Sequence, residues 1–145
     1  MNATMFPVTP EDIPRQAGTD IGRSPAFDGK TGRFLVVDGA LVERTGLGAV
    51  RQWIDLMLRQ QIGKVPIYQV EGQERIGIDR SMIGSRLPPG MVAAELERNV
   101  RETLSFCPAI RSVEGFSVTR RGRAYHVAFT AFLYDENTLE VEWDV

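Results

Sequence analysis

The chain has 145 residues, 43% apolar and 25% charged, with a formal net charge of -2, one histidine and one cysteine. That length suits a single domain that removes roughly 68–70% of its unfolded surface from water; the lone cysteine excludes an internal disulfide framework, and the charge gives no global drive toward nucleic acid. No apolar run approaches the ~20 residues that span a bilayer, and the first residues lack the basic and apolar blocks of a cleaved export signal. The expectation is a protein with no membrane partner, kept in a cytoplasm or exported without such a signal.

Residues 1–32 carry Pro7, Pro10, Pro14 and Pro25 and four glycines but no sustained apolar period, which reads as an extended arm ordered only where something holds it. Phe6, Ile13, Ile21 and Phe27 are spaced apolar anchors for this domain or a neighbour. Two short apolar runs, Phe34–Val37 and Ala40–Val42, flank Asp38 and Gly39. An Asp-Gly pair in that setting predicts a hairpin, because both turn positions take positive φ. A first helix comes next, with Leu47, Val50, Ile54, Met57, Leu58 and Ile62 on one face, Thr45 as N-cap and Gly63 as stop. Val65–Val70 reads as a short strand and Glu74–Ile78 as a strand or loop.

Pro88 and Pro89 place the start of a second helix at Pro89 or later, and Pro108 places its stop near Phe106. Val92, Ala93, Leu96, Val100 and Leu104 recur at helical spacing; Glu95, Glu97, Arg98, Arg101 and Glu102 fill the other side. After Pro108 the period changes to 2. A strand over Ser112–Thr119 switches parity at Glu114 and Gly115, the sign of a β-bulge. Tyr125, Val127, Phe129, Ala131 and Leu133 share one face of the next strand, and Leu139, Val141, Trp143 and Val145 one face of the last. Short turns at Arg120–Gly122 and Asp135–Asn137 make these neighbours antiparallel. The predicted class is α+β: a small mixed sheet with a C-terminal antiparallel three-stranded meander packed against two amphipathic helices, plus the extended N-terminal arm.

Chemistry is sparse. Four Cys/His zinc ligands cannot be assembled from His126 and Cys107. Gly46 to Arg51 comes after a hairpin and ends in Arg51, so it is a poor dinucleotide fingerprint, and no phosphate-binding Gly-Lys-Ser/Thr loop exists. Glu95 with Glu102, and Glu140 with Glu142, are the remaining acid pairs for a peptidoglycan hydrolase, but they lie on polar faces with nothing to desolvate them. No catalytic residue, metal or cofactor is assigned. Arg120, Arg121 and Arg123 form a basic hairpin tip without the interleaved aromatics of a nucleic-acid site, readable as a solubilising turn or a patch for an acidic partner. The last strand presents an edge for β-augmentation, held to its own core by Leu139, Val141 and Trp143. Its Glu140, Glu142 and Asp144 equally suit a protected edge.

Ala49 to Leu58, Pro66-Ile67-Tyr68, Met82-Ile83-Gly84, Ala94 to Leu104 and Cys107 to Val113 occur in an order and spacing that resembles the sheath-initiator family, baseplate wedge proteins of contractile phage tails with a lysozyme-like baseplate wedge fold. The likeness covers about residues 34–133; it departs at Arg59-Gln60-Gln61 and at Gln69 to Gly72. It implies an arm over 1–32 and a wedge domain over 33–145, in several copies, six as the expected number, around the tail axis. The implied protein is a structural virion component, present in the host cytoplasm before assembly. It would contact other wedge and hub proteins and the tail sheath protein, whose first ring adds by strand exchange. Phe6, Ile13, Arg120, Arg121, Leu139, Val141, Trp143 and Val145 are the partner-binding candidates. A bacteriocin or secretion-system baseplate is the alternative setting. The lysozyme-like label carried by some relatives has no catalytic counterpart in these residues.

Overall fold

The computed structural model describes residues 21–64 and 76–145. Phe6, Ile13 and the strand expected at Val65–Val70 lie outside the described residues. Among the described residues six two-residue strands come first: β1 (Ser24–Pro25), β2 (Phe27–Asp28), β3 (Arg33–Phe34), β4 (Val36–Val37), β5 (Ala40–Leu41) and β6 (Glu43–Arg44). They pair antiparallel as β1 with β6, β2 with β3 and β4 with β5. The bonds Ala26 N–H to Val42 O (2.6 Å) and Leu35 N–H to Ala26 O (2.8 Å) join them into one bent ribbon. Asp38 (φ 50°) and Gly39 (φ 78°) turn its tip with two positive φ angles, as the Asp-Gly pair predicts. Strands β1 and β2, which fall within the stretch read from sequence as arm, are thus tied into the domain by β6 and β3. Ala26 between them is buried in the interior.

The helix α1 (Gly46–Arg59) buries Ala49, Val50, Ile54, Met57 and Leu58. Thr45 sits at the N-cap position in extended conformation, but its hydroxyl makes no cap bond, and Leu47 faces solvent. The helix stops at Arg59 and not at Gly63. Gln60 turns extended because its carbonyl accepts from Ile78 N–H (2.8 Å), while Ile62 N–H donates to Ile78 O (3.2 Å). This is the one parallel pairing among the described residues, Gln61 with Ile78. Gly63 (φ 75°) serves the turn beyond it.

The helix α2 (Pro89–Ser105) begins on a proline at its first turn, where the missing N–H costs nothing. Its buried face adds Asn99 and Thr103 to Val92, Leu96, Val100 and Leu104. Those two polar groups hold the segment 76–80 between the helices. Thr103 Oγ1 donates to Gly77 O (3.0 Å) and accepts from Gly77 N–H (3.2 Å); Asn99 Oδ1 accepts from Asp79 N–H (3.2 Å).

Strands β7 (Ile110–Arg121), β8 (Ala124–Leu133) and β9 (Thr138–Asp144) form the antiparallel meander in the order β7-β8-β9. The register shifts between Glu114 and Ser117, with Gly115 at φ 63°, so the bulge lies where the parity change put it. Val113 before it and Phe116 and Val118 after it all reach the core side. Arg101 on α2 spans the bulge, donating to Val113 O (2.6 Å) with its guanidinium over the Phe116 ring. One sheet face, carrying Tyr125, Val127, Phe129, Ala131, Leu133 and Leu139, packs with both helices into a single core. Glu140, Glu142 and Asp144 lie exposed on the other.

Candidate functional site

The position of β9 in the sheet decides which of its backbone groups remain free. Tyr125 and Val145 exchange two hydrogen bonds (3.1 and 2.9 Å), which makes them a hydrogen-bonded antiparallel pair. Such pairs alternate, so Val127–Trp143, Phe129–Val141 and Ala131–Leu139 also bond inward. The N–H and C=O groups of Thr138, Glu140, Glu142 and Asp144 therefore point away from β8, along the outer edge. Arg51 on α1 confirms the parity, since its Nη1 donates to Glu140 O at 3.3 Å. The candidates Leu139, Val141, Trp143 and Val145 are thus the residues that fasten β9 to the sheet. The edge groups belong to their neighbours.

A cleft of ≈ 350 Å³ opens beside this edge, between α1 and β9. Phe27, Ile54, Leu58, Val141 and Trp143 give its apolar surface; Arg44, Arg51 and Asp55 give charged parts, and Gly48, Gln52 and Glu142 complete the lining. Gln52 is buried, and its amide is fully engaged. Oε1 accepts from Phe27 N–H (2.9 Å), and Nε2 donates to Ser24 Oγ (3.0 Å) and Pro25 O (2.7 Å). It thereby fixes the β1–β2 segment against α1 and places Phe27 in the cleft wall. Arg80 lies over the Trp143 ring, its guanidinium 5.6 Å from the ring centroid. Arg80 also donates to Leu58 O (2.6 Å) and Gln60 O (3.0 Å), satisfying carbonyls at the end of α1. Burial lowers its pKa. Sequence reasoning meets Gly48 and Arg51 only in a weak glycine pattern, and does not single out Gln52 or Arg80. Their roles depend on partners 20 to 89 positions away, which no local period reports.

The basic tip is split by the strand alternation. Arg120 and Arg123 line a separate recess of ≈ 410 Å³ with Gly84, Ser85, Leu87 and Tyr125, whereas Arg121 lies outside it. Arg120 pairs in register with Tyr125, which pairs with Val145, so the tip and the end of β9 are brought together. A second exposed feature is the β4–β5 hairpin, where Val36, Val37 and Leu41, with Phe34 of β3 before them, are each more than half exposed.

Arg98 stands between the two helical acids, 2.7 Å from Glu95 and 2.9 Å from Glu102. Its hydrogen bond holds the Glu95 carboxyl below its usual pKa, the opposite of what a general acid needs. Cys107 is buried, and desolvation raises its pKa. His126 Nδ1 lies 2.7 Å from Asp144 Oδ1 on the open face of the sheet. Among the described residues no group of three or more Cys, His, Asp and Glu is placed to hold a metal ion.

What the geometry defines is an α+β domain with a helix-backed antiparallel sheet, its last strand offering an open edge beside an apolar cleft. A search among curated proteins gives no match. The family of contractile injection system sheath initiators matches over residues 23–136. The chain belongs to that family, whose members are structural components of a contractile machine, associated with its sheath and baseplate.

Proposed function

We propose that this chain is a non-enzymatic baseplate protein that links wedge and hub proteins to the first sheath ring, and that it starts the sheath by accepting a sheath-protein strand along β9. In this reading several copies, six around the axis, present their β9 edges as a ring of templates in the tail or particle baseplate. The observation that carries it is the outward row of N–H and C=O groups on β9, of which those of Glu142 and Asp144 are open to a partner strand and the Glu140 carbonyl is taken by Arg51. Main-chain pairing supplies affinity, and the alternate side chains supply specificity. The arm residues Phe6 and Ile13 and the tip residues Arg120 and Arg121 are assigned to contacts with the other baseplate proteins. Genes for a capsid and terminase beside this one would place it in a phage, and tail genes alone in a bacteriocin or secretion system.

Deleting β9 is not a clean test, because Leu139 is buried and its loss opens the core. Glu142→Pro is cleaner. It removes an outward N–H while leaving the bonds to β8 in place, a strand setting that tolerates proline. Particles carrying it are expected to build baseplates without sheath; normal sheath on such particles refutes the reading.

A further inference from the structure

We propose that the strand added to β9 inserts a large apolar side chain into the cleft between α1 and β9, and that Gly48 is the residue that keeps the cleft open for it. This rests on the reading of β9 as the docking edge. Side chains alternate along any added strand, so half of them continue the outward row of Glu140, Glu142 and Asp144. The others continue the inward row of Leu139, Val141 and Trp143 and arrive at α1. The space they reach is the ≈ 350 Å³ cleft, which runs along the edge at Val141–Trp143.

The lining selects what can enter. Phe27, Ile54, Leu58, Val141 and Trp143 are apolar or aromatic. Gln52 already uses its carbonyl oxygen and amide nitrogen on Phe27, Ser24 and Pro25 and has little left for a polar guest. Asp55 is held by Arg59 at 3.0 Å. Arg51 keeps Glu140 O occupied, so the free part of the ladder starts at Glu142, beside the cleft. The guest is thus an aliphatic or aromatic side chain of a partner strand whose backbone pairs with Glu142, carried by the residue that comes opposite Val141 or Trp143.

Gly48 stands in the first turns of α1 with ordinary helical geometry, and a Cβ built there meets nothing within 4 Å. Neither strain nor helix packing requires a glycine at this place; helix propensity argues against one. The cleft it lines supplies the reason.

The test uses the full chain in assembling baseplates, with the co-encoded sheath protein as probe. Sheath recruitment is counted by electron microscopy and, in the chains that gain no tryptophan, tracked by the emission of Trp143 in a Trp53→Phe background. Gly48→Trp and, as a plug of different shape, Gly48→Leu are expected to cut recruitment at least tenfold while melting no lower than the parent. Gly48→Ala stays within threefold. Recruitment kept in both plugged chains but lost in Glu142→Pro overturns the cleft and leaves the edge reading intact. Recruitment kept in all of them overturns both. Loss in Gly48→Ala equal to that in Gly48→Trp overturns the size argument. A plug that changes only self-association of the chain, measured by sedimentation, overturns the sheath strand as occupant.

Discussion

Replacing Gln52 by alanine removes one side chain from α1 and the three hydrogen bonds that clamp residues 24–27 to it. The Phe27 N–H and Pro25 C=O are left facing the space where the amide stood. Each such bond contributes about 0.5–1.5 kcal/mol net, and since water reaches part of the site the sum is about 2–3 kcal/mol. At about 1.4 kcal/mol per tenfold, the population with this segment open rises about 30- to 140-fold. Hydrogen exchange reads that population at amides that do not themselves bond Gln52. Ala26 N–H, bound to Val42 O, and Leu35 N–H, bound to Ala26 O, are the reporters. Both are expected to exchange faster by that factor in Gln52→Ala. Ser24→Ala removes a single bond of the clamp, worth about 1 kcal/mol, and is expected to accelerate them about fivefold. Exchange within threefold of the parent in Gln52→Ala refutes the clamp.

Further predictions concern backbone, cap and thiol. Gly77→Ala is expected to cost about 3 kcal/mol or more in urea unfolding, because φ is 119° and the new Cβ lies 3.0 Å from Ile62 N and 3.1 Å from Gln60 O, both backbone atoms. Gly115→Ala, at φ 63° with only Thr130 Oγ1 at 4.0 Å, is expected to cost about 1–2 kcal/mol, from conformation alone; equal costs at the two positions contradict the role of the close approach. Arg80→Met leaves the Leu58 carbonyl without its donor and Gln60 O with Ile78 N–H alone, and is expected to destabilise by about 2 kcal/mol and shift Trp143 emission; an unchanged emission removes Arg80 from its place over the indole. The Cys107 thiol has a raised pKa in the folded chain, so the unfolded chain loses its proton first as pH rises. Stability owed to the neutral thiol is full below the free-thiol range near about 8.5 and declines above it, towards the folded pKa. Cys107→Ala is expected to flatten that alkaline decline in melts taken from pH 7 to 10, and an unaltered slope assigns it to other groups.

The parts of this fold that are legible in sequence are those stabilised by regular patterns close in the chain. The meander is written in strict alternation over Tyr125–Leu133 and Leu139–Val145, and its bulge in one parity slip at a glycine. The helices are written in a 3.6-residue period bounded by Thr45 and by Pro88, Pro89 and Pro108. Legibility ends where a polar side chain serves a distant backbone. Gln52, Asn99 and Thr103 are polar by type yet buried, because each bonds to a segment 20 to 28 residues away. The end of α1 differs from its expected place for the same reason: Ile78 captures Gln60 before the helix reaches Gly63. The candidate edge can be read as a strand, but not its free groups. Those depend on which of two alternate pairings β9 makes with β8, and on Arg51 approaching from another element.

The chain order of these elements also sets an order of folding. Helix α2 and strands β7, β8 and β9 succeed one another through short connections, so their contacts close small loops. Contacts of that kind form early, whereas joining α1 and the ribbon of residues 24–44 to the sheet closes much longer ones. The edge of β9 is therefore expected to form before Arg51 reaches Glu140 O and before Phe27 and Gly48 complete the cleft, an order that pulse-labelled hydrogen exchange reads directly. In that interval the exposed edge carries the like charges of Glu140, Glu142 and Asp144, and rows of like charge disfavour pairing between two copies of the same strand.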